Sequence, residues 1–159
     1  MPLAPASAET RLVVDTVVFT HWRNSHPYVL TQVNDYFRIL KELPALTSMT
    51  IFESMSGVEK ELVKGNITER QARQYRNQIE ELSRGLPQLA FDTESAAIAA
   101  FVYQRLTQSD RNKHWRDLFI AATALAHGYG IATSNRRDFD LIAQHLPDSI
   151  PPLRLATWK

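Results

Sequence analysis

The sequence contains no cysteine. Disulfides, thiolate metal ligands and cysteine nucleophiles are excluded together, and the composition fits a reducing cytoplasm. Glycine and proline are also scarce, at 5 and 8 of 159 residues, too few for a collagen-like or low-complexity chain. No segment approaches the roughly 20 apolar residues of a membrane-spanning helix, so a soluble, cytoplasmic protein is expected. Charge of one sign is missing as well: 18 Lys and Arg face 17 Asp and Glu. A nucleic-acid binder working through bulk electrostatics is usually more basic, so any grip on RNA must come from a local basic rim. Residues 1–10 have neither the positive start nor the apolar stretch of a signal peptide. They are expected to form a short flexible leader, followed by a single domain over residues 11–159.

What the sequence does have is enough apolar content, 44%, to build one core at the commonest domain size. Short apolar runs alternate with helical patterns. Residues 11–14 form a β-branched run that ends at Asp15, and residues 28–43 carry Val29, Val33, Phe37 and Leu40 at helical spacing before Pro44. Residues 46–51 are expected to be a second strand, followed by a helix ending near Gly65. Thr68 and Gln71 have the form of a capping box, opening a polar helix that closes at Gly85. Residues 89–91 suggest a short strand, and Asp92 suits the N-cap of the next helix. Residues 115–127 suggest an apolar helix, residues 131–133 a strand, and residues 153–158 a last strand. Strands separated by helices predict an α/β sandwich with a central, mostly parallel sheet flanked by helices.

On that map Asp15 follows the first strand, Glu53 follows residues 46–51, and Asp138 lies just beyond the 131–133 strand. In open α/β sheets, ligands bind at the carboxyl ends of strands. Asp117 opens the apolar 115–127 segment and can point out of the end of the core. Carboxylates gathered in this way repel one another unless their pKa values rise or cations neutralise them. Mg²⁺ and Mn²⁺ prefer such oxygen ligands, and a metal-activated water needs no nucleophilic side chain. Each acid also has a structural role available to it. Asp15 or Thr16 can cap the following helix, Asp117 can favour a helix dipole, Asp138 can be a cap, and Glu53 can be an exposed helical residue. Composition and spacing alone leave the function undecided.

Four stretches resemble the PIN-domain nucleases, especially VapC-type toxins: Leu12-Val-Val-Asp-Thr16, Ser48-Met-Thr-Ile-Phe-Glu-Ser-Met-Ser-Gly57, Asp117-Leu-Phe-Ile-Ala-Ala-Thr-Ala-Leu-Ala-His-Gly128, and Ile131-Ala-Thr-Ser-Asn-Arg-Arg-Asp-Phe139. They come in the family's order across most of the chain. The resemblance implies a PIN-like three-layer sandwich in which Asp15, Glu53, Asp117 and Asp138 bind Mg²⁺ or Mn²⁺ and catalyse hydrolysis of an RNA phosphodiester. Thr16 and Asn135 would support them. It further implies a cognate antitoxin and a homodimer. Val17 departs from the Asn or Ser of many relatives, and Asp140 competes with Asp138 as the fourth acid. Arg23, Arg116, Arg136 and Arg137 stand near the acids in sequence as candidate phosphate contacts, with plain surface arginines the competing reading. Trp22 and Trp115 suit half-buried packing better than base stacking, and His21, His114 and His127 lack the spacing of a zinc site. The alternative function is a PIN-fold module that binds RNA or a protein without cutting. A haloacid-dehalogenase-type phosphotransferase would need Asp where Val17 stands, and a Rossmann protein would need a Gly-rich turn after the first strand.

Overall fold

The computed structural model describes residues 4–5, 7 and 9–159. The chain runs β1 (Ala4–Pro5), β2 (Leu12–Val14), α1 (Thr16–Arg23), α2 (Pro27–Leu40), β3 (Leu46–Thr47), α3 (Ser48–Val63) and α4 (Glu69–Arg84). It continues through β4 (Gln88–Leu89), α5 (Thr93–Tyr103), α6 (Gln108–Ala126), β5 (Gly130–Thr133), α7 (Arg136–Ala143) and β6 (Arg154–Thr157). β1, β6, β5 and β2 form one parallel sheet in that order, and β3 pairs with β4. Ala45 joins the two sets: its N–H donates to the Leu12 carbonyl at 2.9 Å, and its carbonyl accepts from Val14 at 3.0 Å. The flexible leader expected over residues 1–10 lies partly outside the described residues. Within it, Ala4 and Pro5 pair with Arg154 and Leu155.

The strand period of two divides the core into two layers. Val13, Ile131 and Leu155 face α5, α6 and α7, burying Ile98, Val102, Leu118, Phe139 and Ile142. Leu12, Val14 and Ala132 face the other way, onto Val18, Phe19, Val29, Val33 and Ile79. The result is the expected three-layer sandwich around a parallel sheet.

The local signals account for most boundaries. The Thr68–Gln71 capping box forms in both directions, and Asp92 caps α5 by accepting from the Ser95 N–H at 2.9 Å. Three expectations are corrected. Residues 46–51 are not one strand: β3 holds only Leu46 and Thr47, and Thr47 accepts from the Thr50 N–H at 3.3 Å, so helix α3 begins at Ser48. The apolar helix does not open near residue 115, because Thr107 caps it and α6 starts at Gln108. In α2 the buried position is Tyr36 and not Phe37, which is 50% exposed. The Tyr36 hydroxyl accepts from the Leu12 N–H at 3.0 Å, satisfying a buried backbone donor that Phe could not.

Gly130 begins β5 where the sheet is tightest. A Cβ there would meet the Arg154 carbonyl oxygen at 2.8 Å and the Leu12 side chain at 3.1 Å. The carbonyl is fixed by the strand, so Gly130→Ala is expected to destabilise the fold by about 1–3 kcal/mol. Urea denaturation would show this as a lowered midpoint, and an unchanged midpoint would mean that β5 and β6 can separate freely.

Candidate metal centre

Asp15 ends the first core strand and caps α1, which fixes both of its oxygens. Oδ1 accepts from the Val18 N–H at 2.9 Å, and Oδ2 accepts from the Thr133 hydroxyl on neighbouring β5 at 2.5 Å. The residue is 5% exposed. Burial raises its pKa; the bonds from Thr133 and Val18 pull the other way, and the charge of Glu53 adds to the rise. The sheet has therefore gathered a carboxylate that it only partly compensates.

Thr16 begins α1 and donates its hydroxyl to Glu53 Oε1 at 2.7 Å. Because α3 starts at Ser48, Glu53 stands in that helix's second turn, and the helix carries it back over the end of β2. Asp117 is likewise not in a first turn, so the helix dipole gives it no help. It projects from the middle of α6, where burial, then Asp138, Glu53 and Asp15, push its pKa up to about 7, with Arg116 opposing. Direct contacts place the four carboxylates in one locality: Thr16, next to Asp15, bonds Glu53, Thr133 and Asn135 link Asp15 to Asp138, and the His114 ring lies against both Asp117 and Asp138.

Asp138 lies in the first turn of α7. Its Oδ2 accepts from the Asn135 side-chain amide at 2.7 Å. Asn135 stands at the N-cap of α7 but makes no side-chain cap; instead its backbone N–H donates to the Thr133 hydroxyl at 2.9 Å. Thr133 thus touches Asp15 on one side and, through Asn135, holds Asp138 on the other. Asp140 accepts from the Gln144 side-chain amide at 3.3 Å. Val17 is 47% exposed, so the support of Asp15 comes from Thr133 and the Val18 N–H and not from the side chain at position 17.

The arginines divide. Arg136 donates to the Leu155 carbonyl at 3.3 Å and lies 3.4 Å from the Thr157 hydroxyl, tying α7 to β6. Arg116 lies over the Trp115 ring, 4.7 Å from its centroid, and is exposed, as is Arg137. Arg23 is half-buried at the end of α1 with its Nε unpaired, and it lines a groove of about 380 Å³ with Thr16, Glu53 and Ser54. Both Trp22 and Trp115 are half-buried.

Two residues escaped the sequence reading. Thr133 gives no motif signal, because its role depends on which strand neighbours β2. His114 stands one turn before Asp117, with Nδ1 at 3.8 Å from Asp117 Oδ2 and 4.0 Å from Asp138 Oδ1. The signal for it was the Thr107-x-x-Asp110 start of α6, which puts His114 and Asp117 at i and i+3 on one face.

Among the described residues no Lys or Arg pairs within 4.0 Å with any of the four acids. Clustered oxygen donors, with the pKa values of Asp15 and Asp117 raised and no Lys or Arg paired to them, fit a hard divalent cation.

The family model for the PIN domain matches residues 12–144, a span that holds all four acids. Among solved structures the chain is similar to DNA-bound VapBC from Salmonella typhimurium, with 20% identity over 94% of this chain and 99% of that chain and a TM-score of 0.67. It is similar to VapBC-1 from nontypeable Haemophilus influenzae, with 19% identity over 92% and 97% of the chains and a TM-score of 0.64. A third is VapBC-5 from Mycobacterium tuberculosis, a member of the VapBC family of toxin–antitoxin systems, with 21% identity over 94% and 98% and a TM-score of 0.55. At such identities the likeness is one of fold. None of the curated proteins matches the chain.

Asp117 also has a thermodynamic consequence. Its folded pKa, about 7, lies above the 3.8 of an unperturbed Asp, so between those values the native state binds more protons than the unfolded one. Stability of the metal-free protein is therefore expected to fall as pH rises from about 4 to about 7, by an amount on the order of a few kcal/mol. Asp117→Asn should flatten this slope and be the more stable protein at pH 8 in EDTA. Parallel pH profiles for the two proteins would show that Asp117 is not crowded.

Proposed function

The chain belongs to the PIN domain family, and from that membership we propose that it is a metal-dependent endoribonuclease, the toxin of a toxin–antitoxin pair. The carrying observation is the convergence of Asp15, Glu53, Asp117 and Asp138, with Asp117 shifted to about 7 by burial and by the other three. These residues would hold Mg²⁺ or Mn²⁺. A divalent cation bound there supplies a water of lowered pKa and neutralises charge at the phosphate during in-line displacement.

The chain's own part is positioning. The Val18 N–H and the Thr133 hydroxyl fix both oxygens of Asp15, Thr16 orients Glu53, and Asn135 orients Asp138. The exposed guanidinium groups of Arg116 and Arg137 are available to RNA phosphates, and Arg23 has an unpaired Nε beside Glu53. Arg136 is already bonded to β6 and makes the weakest candidate of the four.

The partners follow from the comparisons and from the surface. The similar tuberculosis structure is described as a toxin–antitoxin member, which supports a cognate antitoxin here. Phe52 is 51%, Phe91 37% and Tyr103 36% exposed, and Phe91 stacks on Phe119 with centroids 4.6 Å apart. This apolar face, with a groove of about 620 Å³ along α5 and α6, supports homodimerisation. No helix among the described residues is long and apolar enough to cross a membrane; the proposed setting is the cytoplasm. A PIN-fold module that binds without cutting would differ by taking up metal and RNA with no turnover.

Incubating total RNA with the purified protein in Mg²⁺, in Mn²⁺ and in EDTA tests the proposal. Cleavage should require the metal and should fall to the EDTA background in Asp15→Asn and Asp117→Asn, while Asp92→Ala, which loses a helix cap and a contact with His127, should cut at the parent rate. Metal-independent cutting, or an active Asp15→Asn, would refute the assignment. Arg137→Ala should weaken RNA binding several-fold and reduce the salt slope by about 1, as loss of one phosphate contact does. An unchanged slope in a filter-binding titration would remove Arg137 from the interface.

A further inference from the structure

His114 introduces a donor of a different kind into an otherwise all-oxygen centre. It lies in α6 one turn before Asp117, and α7 brings Asp138 to the same point. One ligand atom from each of the three residues lies within 4.8 Å of the other two. His114 Nδ1 is buried and has no hydrogen-bond partner. Its separations from the carboxylate oxygens, 3.8 and 4.0 Å, are too long for hydrogen bonds. They are close to what atoms sharing an ion require: two ligands each about 2.1 Å from one cation stand about 3 Å apart when adjacent and about 4.2 Å apart when opposite, so an ion would draw these side chains slightly together. A buried nitrogen that pairs with neither neighbouring carboxylate, though it faces both, is explained by a cation between them.

We propose that His114 is the nitrogen ligand of a divalent cation shared with Asp117 and Asp138, and that it biases this centre toward Mn²⁺ over Mg²⁺. Mg²⁺ takes hard oxygen donors in near-octahedral geometry, whereas imidazole suits transition metals. Asp15 and Glu53, on the β2 side, provide oxygens only. The centre is therefore asymmetric: its α6–α7 side carries one nitrogen and two carboxylates, and its other side carries carboxylates supported by Thr16 and Thr133. This inference rests on the metal-binding reading of the acids and adds a ligand and a preference to it.

The test is Mn²⁺ and Mg²⁺ titration of the full chain, wild type against His114→Ala and His114→Gln, by calorimetry, with pulsed electron paramagnetic resonance of the Mn²⁺-loaded proteins. Wild type should show nitrogen modulation from a coordinated imidazole, and both variants should lack it. Mn²⁺ affinity should fall about tenfold or more in the variants, against less than about threefold for Mg²⁺. Thermal melts in EDTA establish that each variant is folded, and His114→Gln serves if His114→Ala is not. Mn²⁺ bound to wild type without nitrogen modulation, or with affinity unaltered by the substitutions, would overturn the role of His114 and leave the acidic centre standing. Absence of any divalent-ion binding to wild type would overturn both.

Discussion

Mutual repulsion among Asp15, Glu53, Asp117 and Asp138 is the constraint around which this fold is arranged. Each acid is delivered by a different element: the end of β2, the second turn of α3, the middle of α6 and the first turn of α7. Burial lifts Asp15 and Asp117 above the ordinary carboxylate range, and their neighbours lift them further. A sheet and helices that needed only to bury apolar surface would not keep these groups together. The convergence fits the proposed metal centre, and hydrogen bonds from Val18, Thr16, Thr133 and Asn135 hold it. Thr133 is central to this, because it touches Asp15 directly and reaches Asp138 through Asn135.

The parallel sheet makes such a centre possible. β2 and β5 are adjacent and run in the same direction, with Val14 opposite Ala132. Their carboxyl ends therefore open at one level, where Asp15 follows one strand and the Thr133–Asn135 turn follows the other. The apolar half of α6 packs under this edge through Leu118, Ile120 and Ala121, all buried, while its polar half carries His114 and Asp117 up to it. Rigid packing below and orphaned charge above is the arrangement expected of a preorganised cation site, in which geometry is fixed before the ion arrives.

Much of this was legible in the sequence, for identifiable reasons. β2, β5 and β6 are short apolar runs bounded by polar residues, and the Thr68 and Asp92 caps carry their own signatures. The four acids stood out because three of them follow apolar runs and the fourth opens the apolar stretch from Leu118 to Ala126. What was not legible depended on competition between local and distant terms. Residues 46–51 look like a strand by β-propensity, yet the strand stops at Thr47, which caps α3 and leaves residues 48–51 helical. The segment from Gln108 to His114 has no apolar rhythm, so the sequence predicts a shorter helix that begins after His114. Tyr36 displaced Phe37 from the core because Leu12 needed an acceptor for its N–H, a requirement visible only once β2 and α2 meet.

The most direct test of the crowded-acid account is proton release on metal binding. With Asp117 pushed up to about 7, part of the population holds a proton there at neutral pH, and a cation bound at these carboxylates would displace it. Mn²⁺ titrated at pH 7 in two buffers of different ionisation enthalpy should reveal net proton release, shrinking toward zero at pH 9. Binding with no proton release at pH 7, or no binding, would contradict the claim that these carboxylates are gathered to receive a metal ion.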